Sequence, residues 1–269
     1  MITSNFHTHT VYCDGKDTPE ELVKKALEIG FTSLGFSSHS YCIMDKDITL
    51  SPEKLKKYCE EIDVLKEKYK GRIKIFKGIE QDYFSHPITE KFDYVIGAVH
   101  YIKKNGEFYA VDLSKENSMW VIENIFGGEY DAFAEEYFET LCDVVDKTGA
   151  DIIAHIDLVS KFSEKNGFGQ SDRYLHAAEK TVKTLVRYGK PFEINTGAMS
   201  RGAKSIPYPT PEILKMIKEN GGKIAFSSDC HDKNYLAHAF DTAEKLALDA
   251  GFKTYCIITE NGIEEIPIK

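Results

Sequence analysis

His7 and His9 stand one residue apart in the run Ile2-Thr-Ser-Asn-Phe-His-Thr-His. Alternate side chains of an extended strand share a face, so both imidazoles can reach one cation. Alone, this pair reads as well as two histidines hydrogen-bonded at a strand end. The same kind of group recurs, however, wherever an apolar run stops. His39 closes Ser33–His39, Glu80 closes Ile75–Glu80, His100 closes Tyr94–His100, His155 closes Asp151–His155, and Asp229 and His231 close Lys223–His231. Six of the nine histidines occupy such positions, and convergence of those ends would turn scattered residues into a site. Gathering six imidazoles and several carboxylates in one dry place without a cation would leave many polar atoms unpaired, at several kcal/mol each. Bound metal is the economical explanation. Glu80 and Asp229 can bridge two cations while neutral imidazoles complete the shells, a donor set that suits zinc, iron or manganese better than calcium or magnesium. Asp14, in Cys13-Asp14-Gly15, reads equally as a further ligand or as a plain Asp-Gly turn.

Strand ends can converge only if the strands run parallel around a common axis. Short β-rich runs alternate with amphipathic helical runs, the signature of βα units around a parallel sheet. Seven such runs are expected: Ile2–His9, Ser33–His39, Ile73–Asp82, Tyr94–Ile102, Asp151–Leu158, Pro191–Thr196 and Lys223–His231. In a parallel barrel the carboxyl ends of all strands meet at one rim. Between the runs, Thr18, Ser51 and Thr210 each precede a proline and mark helix starts with a capping hydroxyl. Gly30, Gly71, Gly149, Gly189, Gly221 and Gly251 follow helical patterns and supply left-handed stops. Thr254–Thr259 and Ile263–Ile268 bracket Glu260-Asn261-Gly262 as a terminal hairpin. The stretch 103–146 leaves this rhythm and is rich in acids and aromatics, from Phe108 and Trp120 to Phe138. It reads equally as a lid over the rim or as a surface helix packed through its aromatics.

A chain of 269 residues suits one barrel-sized domain, and its apolar share of 42% supplies the core. The 34 basic against 43 acidic residues give −9, a surface that repels polyanions and argues against broad nucleic-acid binding. The apolar stretches are strand-sized and no basic-then-apolar leader is present, so a cytoplasmic chain without membrane contact is expected. Six cysteines without a Cys-x-x-Cys pair read as free thiols. Cys13, Cys42 and Cys230 neighbour candidate ligands, but the imidazoles and carboxylates suffice without them. His86, His176 and His238 fall outside the strand ends and are given no role.

These segments resemble the PHP superfamily. His7-Thr-His9-Thr with Cys13-Asp14-Gly15, Ser37-Ser-His39, Gly78-Ile-Glu80, Gly97-Ala-Val-His100-Tyr-Ile, Ala154-His155-Ile-Asp157, Glu193-Ile-Asn195 and Ser228-Asp229-Cys-His231 match its pattern in order. Within it, the length and the Gly-Ile-Glu and Gly-Ala-Val-His-Tyr segments resemble the histidinol phosphate phosphatases. The resemblance implies a distorted (β/α)7 TIM-like barrel with three divalent metal ions at the carboxyl ends of its strands. By position it puts His7, His9, Glu80 and Asp229 on one metal, Glu80, His100 and His155 on a second, and Asp14, His39 and His231 on a third. Many relatives carry histidine where Asp14 stands here, although aspartate is familiar among the histidinol phosphatases.

The implied reaction is hydrolysis of L-histidinol phosphate by in-line attack of metal-activated water, without a phosphoenzyme. Glu80, Asp229, His231 and Asp14 are the groups expected at the reacting atoms. Arginine is scarce, so Arg201, after the Glu193-Ile-Asn195 strand, is expected to clamp the phosphate with its planar fork. Lys161 reads equally as a phosphate contact, as relatives often use there, or as an exposed lysine. The substrate's ammonium and imidazole call for acids or aromatic faces, which the 103–146 stretch can supply. Three alternatives compete. The same metals could serve nucleotides or oligonucleotide 5′ ends. Asp45-Lys-Asp47-Ile-Thr49 matches the pattern of aspartyl-phosphate phosphatases, but it follows His39 into a helix cap, where no strand would present a nucleophile. A noncatalytic metal-stabilised module is argued against by two bridging carboxylates, since structural sites are usually closed and mononuclear.

Overall fold

The computed structural model describes residues 2–269. Seven parallel strands form one sheet: β1 (Ser4–Asn5), β2 (Ser33–Phe36), β3 (Lys74–Asp82), β4 (Tyr94–Ala98), β7 (Ile152–Ile153), β8 (Pro191–Asn195) and β9 (Lys223–Ser227), in the order β1-β2-β3-β4-β7-β8-β9. Beyond its ends Thr8 bridges Cys230 in parallel, with the His9 amide donating to the Cys230 carbonyl at 2.8 Å and the Cys230 amide to the His7 carbonyl at 3.1 Å. The exit of the last strand therefore meets the exit of the first, and the sheet closes as a distorted (β/α)7 barrel. His39 likewise bridges Glu80. The parallel wall thus continues up to the level of the candidate ligands.

Helices α1 (Pro19–Glu28), α2 (Pro52–Lys68), α3 (Lys115–Ile125), α4 (Tyr130–Leu141), α5 (Val144–Thr148), α6 (Ser163–Asn166), α7 (Asp172–Val186), α8 (Gly197–Ser200), α9 (Pro211–Glu219) and α10 (Phe240–Asp249) complete the chain. Thr18 caps α1 in a reciprocal box with Glu21, and Ser51 accepts from the Lys54 amide at the start of α2. Each cap contributes about 1 kcal/mol. Thr210 is an exception to the expected pattern: its hydroxyl accepts from Gln170 Nε2 at 2.7 Å and makes no cap bond to α9. All six expected glycine stops have positive φ.

The expected run Tyr94–Ile102 is two strands. Parallel pairing ends at Ala98, and β5 (Tyr101–Lys104) pairs antiparallel with β6 (Glu107–Ala110). The break falls at Val99-His100 because Asp82 Oδ2 captures the His100 amide at 2.9 Å. Residues 103–146 thus comprise most of this hairpin, then α3, α4 and the start of α5. Tyr130, Phe133, Tyr137 and Phe138 are buried, whereas Phe108 and Trp120 are exposed. The terminal hairpin is present as β10 (Thr254–Thr259) and β11 (Gly262–Pro267).

Phe6, Phe76, Tyr94, Ile96, Ala98, Ile152 and Ala154 form a buried cluster of strand-borne side chains, joined by Ile258 of β10. Side chains alternate along a strand, so Phe76, Gly78 and Glu80 share a face, as do Tyr94, Ile96, Ala98 and His100. The candidate ligands therefore stand directly above an apolar plug. Glu80 lies within a packed strand and the others except Asp14 just past a strand end, which holds their geometry more tightly than free loops could.

Candidate metal centre

Glu80, 1% exposed, is the hub of the rim. Its Oε2 lies 2.8 Å from His39 Nδ1, 3.3 Å from His7 Nε2 and 3.5 Å from His9 Nε2, while Oε1 lies 3.2 Å from His155 Nε2 and 3.5 Å from His100 Nε2. Asp229 Oδ1 is 3.2 Å from His9 Nε2 and 3.4 Å from His231 Nδ1. Asp14 Oδ2 meets His231 Nε2 at 3.1 Å, and its Oδ1 faces His9 and His39 at 3.6 and 3.7 Å. All nine expected ligands thus face one another. Their ligand atoms cluster as His9, Asp14, His39 and His231; as His7, His9 and Asp229; and as His39, Glu80 and His100. This grouping differs from the expected sets in detail: His9 and His39 each belong to two groups, and His155 touches Glu80 without completing a group.

The residues fit a divalent cation. His7 Nε2, His9 Nε2, Asp14 Oδ1, Glu80 Oε2 and His155 Nδ1 are buried without a hydrogen-bond partner, an arrangement that is costly unless a cation satisfies them. The far nitrogens, in contrast, are tied down. His7 Nδ1 lies 2.7 Å from Glu193 Oε1, and His100 Nδ1 lies 3.2 Å from Asp82 Oδ2. Such partners orient a ligating ring and raise its basicity.

The electrostatics agree. Burial disfavours charged His100, but Glu80, the Asp82 hydrogen bond and Asp112 outweigh it and push the ring up to about 9. His7 and His39 are raised against burial by the surrounding carboxylates. His9 is lowered to about 3 by burial and by His231 and His39. Glu80 and Asp229 stay well below the usual carboxylate range despite burial, held by histidines and, for Asp229, first by Arg201. Protons occupy places that a cation would take, so metal binding must release them.

Two local devices position the rim. A Cβ on Gly15 would lie 2.5 Å from the backbone of His9 and Thr10, so glycine is what lets this turn fold back and bring Asp14 beside His9. Asp229 has φ 46°, a left-handed conformation uncommon for a residue with a Cβ, at the point where β9 turns its carboxylate inward. Arg201 is no solvated loop cation: it donates to Asp229 Oδ2 at 3.0 Å and to the Asp229 carbonyl at 3.1 Å. Lys161 is not an exposed lysine either, since Nζ is bonded to Asp112 Oδ2 at 2.7 Å and only 14% of its side chain is exposed. Both cations border a cavity of about 240 Å³ over the cluster.

Sequence reasoning missed the roles of Glu193 and Asp82. Each is a carboxylate inside an apolar strand, and that burial was the available signal. Asp45 also reaches the cavity wall, from a short 3-10 turn (Ile43–Asp45) and not from a strand, as expected for a residue outside aspartyl-phosphate chemistry. His86 stacks on Tyr41 and His238 meets Tyr235 edge to face, away from the cluster. The six cysteines are free.

The PHP domain family model matches residues 5–197, a span that carries His7, His9, Asp14, His39, Glu80, His100 and His155. The chain belongs to the PHP family. Among curated relatives, it is 25% identical to the "Probable histidinol-phosphatase" of Schizosaccharomyces pombe, over 96% of this chain and 89% of that one. It is 24% identical to the histidinol-phosphatase of Bacillus subtilis, over 87% and 96%. The crystal structure of histidinol phosphate phosphatase from Lactococcus lactis, complexed with zinc, L-histidinol and phosphate, superposes with a TM-score of 0.72 at 20% identity, covering 97% of this chain and 98% of that one. That likeness shows the shared barrel. With the donor set and the orphaned atoms, family membership makes this rim a divalent-metal site. Among the described residues no helix is long and apolar enough to cross a membrane.

Proposed function

We propose that this chain hydrolyses L-histidinol phosphate to L-histidinol and phosphate, as one barrel unit. The observation that carries the reading is the rim itself, where eight metal-competent side chains form three groups, with His155 against Glu80, beside two cations in a small cavity. Full-length similarity to histidinol-phosphatases supports the substrate. Three divalent ions, zinc, iron or manganese, would be held by His7, His9, Asp14, His39, Glu80, His100, His155, Asp229 and His231. What bound cations supply is Lewis acidity, which makes water a nucleophile near neutral pH and offsets phosphoryl charge.

The chain's own groups do the rest. Arg201, fixed by Asp229 and 3.1 Å from His231 Nδ1, presents its planar fork to the equatorial oxygens of the phosphate. Lys161, held by Asp112, adds a second positive charge on the cavity wall. Glu80 and Asp229 lie at the reacting centre between the histidines. His231 and Asp14, hydrogen-bonded to each other and bordering the cavity, are suited to return a proton to the departing alkoxide. The end of the hairpin and the segment after it would border this mouth, since Ala110, Asp112 and Leu113 line it.

Phosphate release from L-histidinol phosphate and from mononucleotides, after reconstitution with manganese, iron or zinc, tests the proposal. Turnover of the amino alcohol ester well above that of nucleotides is expected. Preference for nucleotides, or no metal-dependent release, overturns it.

A further inference from the structure

The cavity wall holds three carboxylates outside the ligand cluster, and their surroundings differ. Asp82 is used up by the amides of Phe84 and His100 and by the His100 ring. Asp112 is neutralised by Lys161. Asp45 has no ion-pair partner among the described residues; its side chain accepts one hydrogen bond, from the Tyr101 hydroxyl at 2.5 Å. That bond occupies Oδ2 and fixes the carboxylate without cancelling its charge.

Its place around the ring is also informative. Asp45 follows β2, Lys161 follows β7 and Arg201 follows β8. In the closed order β1-β2-β3-β4-β7-β8-β9, the exit of β2 lies across the mouth from the exits of β7 and β8. The mouth is therefore asymmetric, with two cations that each pair with a carboxylate on one side and a carboxylate without an ion-pair partner among the described residues on the other. Ile48 and Leu113, 43% and 68% exposed, flank it with apolar surface. A phosphomonoester whose alcohol portion carries a cation would span this gap with its phosphate toward Arg201.

We propose that Asp45, positioned by Tyr101, is a specificity-determining residue that receives the ammonium of an amino alcohol phosphate. This rests on the proposed hydrolysis of such an ester. It also gives a role to the Asp45-Lys-Asp47-Ile-Thr49 motif other than that of a nucleophile.

The test compares kcat/KM for L-histidinol phosphate, 2-aminoethyl phosphate and the uncharged-alcohol ester 4-nitrophenyl phosphate in the metal-loaded wild type, Asp45→Asn and Tyr101→Phe, with metal content measured throughout. In Asp45→Asn the preference for aminoalkyl over uncharged ester should fall roughly ten- to hundredfold, through KM, the scale of one lost hydrogen bond to a charged group. Tyr101→Phe should lower it by less, and metal content should hold in both. Equal losses on all esters, or an unmoved preference, overturn the assignment; equal abolition with metals retained would instead fit a nucleophile. A wild type inactive on L-histidinol phosphate, but whose preference for 2-aminoethyl phosphate collapses in Asp45→Asn, sinks the substrate reading and keeps Asp45. Inactivity on both aminoalkyl esters sinks both.

Discussion

Glu80 touches five histidines, and His100 is one that the surrounding carboxylates raise. Its ring stands at about 9 against an ordinary 6.5, so the metal-free fold takes up a proton there. A raised value means that the contribution to stability is complete below about 6.5 and is lost as pH rises toward about 9. His7 and His39 are shifted in the same direction; His9, lowered to about 3, is neutral in the fold, and in the unfolded chain it loses its proton around 6.5, opposing the trend only at the lower edge of this window. Chemical denaturation of chelator-treated protein should therefore show a midpoint that falls between pH 6.5 and 9, while metal affinity tightens over the same range. A midpoint that rises there contradicts the assignment. Eight of the nine candidate ligands were legible in the sequence because they sit where apolar runs end, and a strand end needs no knowledge of tertiary contacts; Asp14, in the Cys13-Asp14-Gly15 loop, read equally as a plain turn. Glu193, Asp82 and Asp45 were not assigned roles, because what they do depends on which ring or hydroxyl arrives from another part of the chain.

Among the elements, the turn Cys13-Asp14-Gly15 shows how backbone geometry makes a ligand. From the sequence it could be a turn or a binding group; the structure shows a turn that packs so closely on His9 and Thr10 that only glycine fits, and that carries Asp14 to 3.1 Å from His231 Nε2. Gly15→Ala must push backbone against backbone, at a cost of about 1–3 kcal/mol, and swing Asp14 away from His231. Thermal unfolding and elemental analysis should show a lower midpoint and loss of metal from the Asp14 group, with the other ions retained. Full metal content at unchanged stability would contradict this reading. The strand count and the helix caps at Thr18 and Ser51 were legible from pattern. The split of Tyr94–Ile102 was not, because alternation continues through the point where the partner strand changes. Thr210 was misread for a related reason: its hydroxyl had a better partner in Gln170, far along the chain.

For the molecule as a whole, a parallel barrel explains why groups more than two hundred positions apart share one buried mouth. Closure through Thr8 and Cys230 brings His7 and His9 against Asp229 and His231, and an apolar plug below keeps water from competing at the base. That convergence followed from the βα rhythm, whereas the fold of residues 103–146 did not, since its buried aromatics serve core packing while Ala110, Asp112 and Leu113 border the cavity. Ions that bind only the folded state should also stabilise it by mass action. The most direct test is elemental analysis of the chain titrated with manganese, iron or zinc, with phosphate release from L-histidinol phosphate followed at each ratio. The expected result is activity rising with metal until about three ions are bound, one for each ligand group. Saturation at a single ion, or full activity with none, would contradict it.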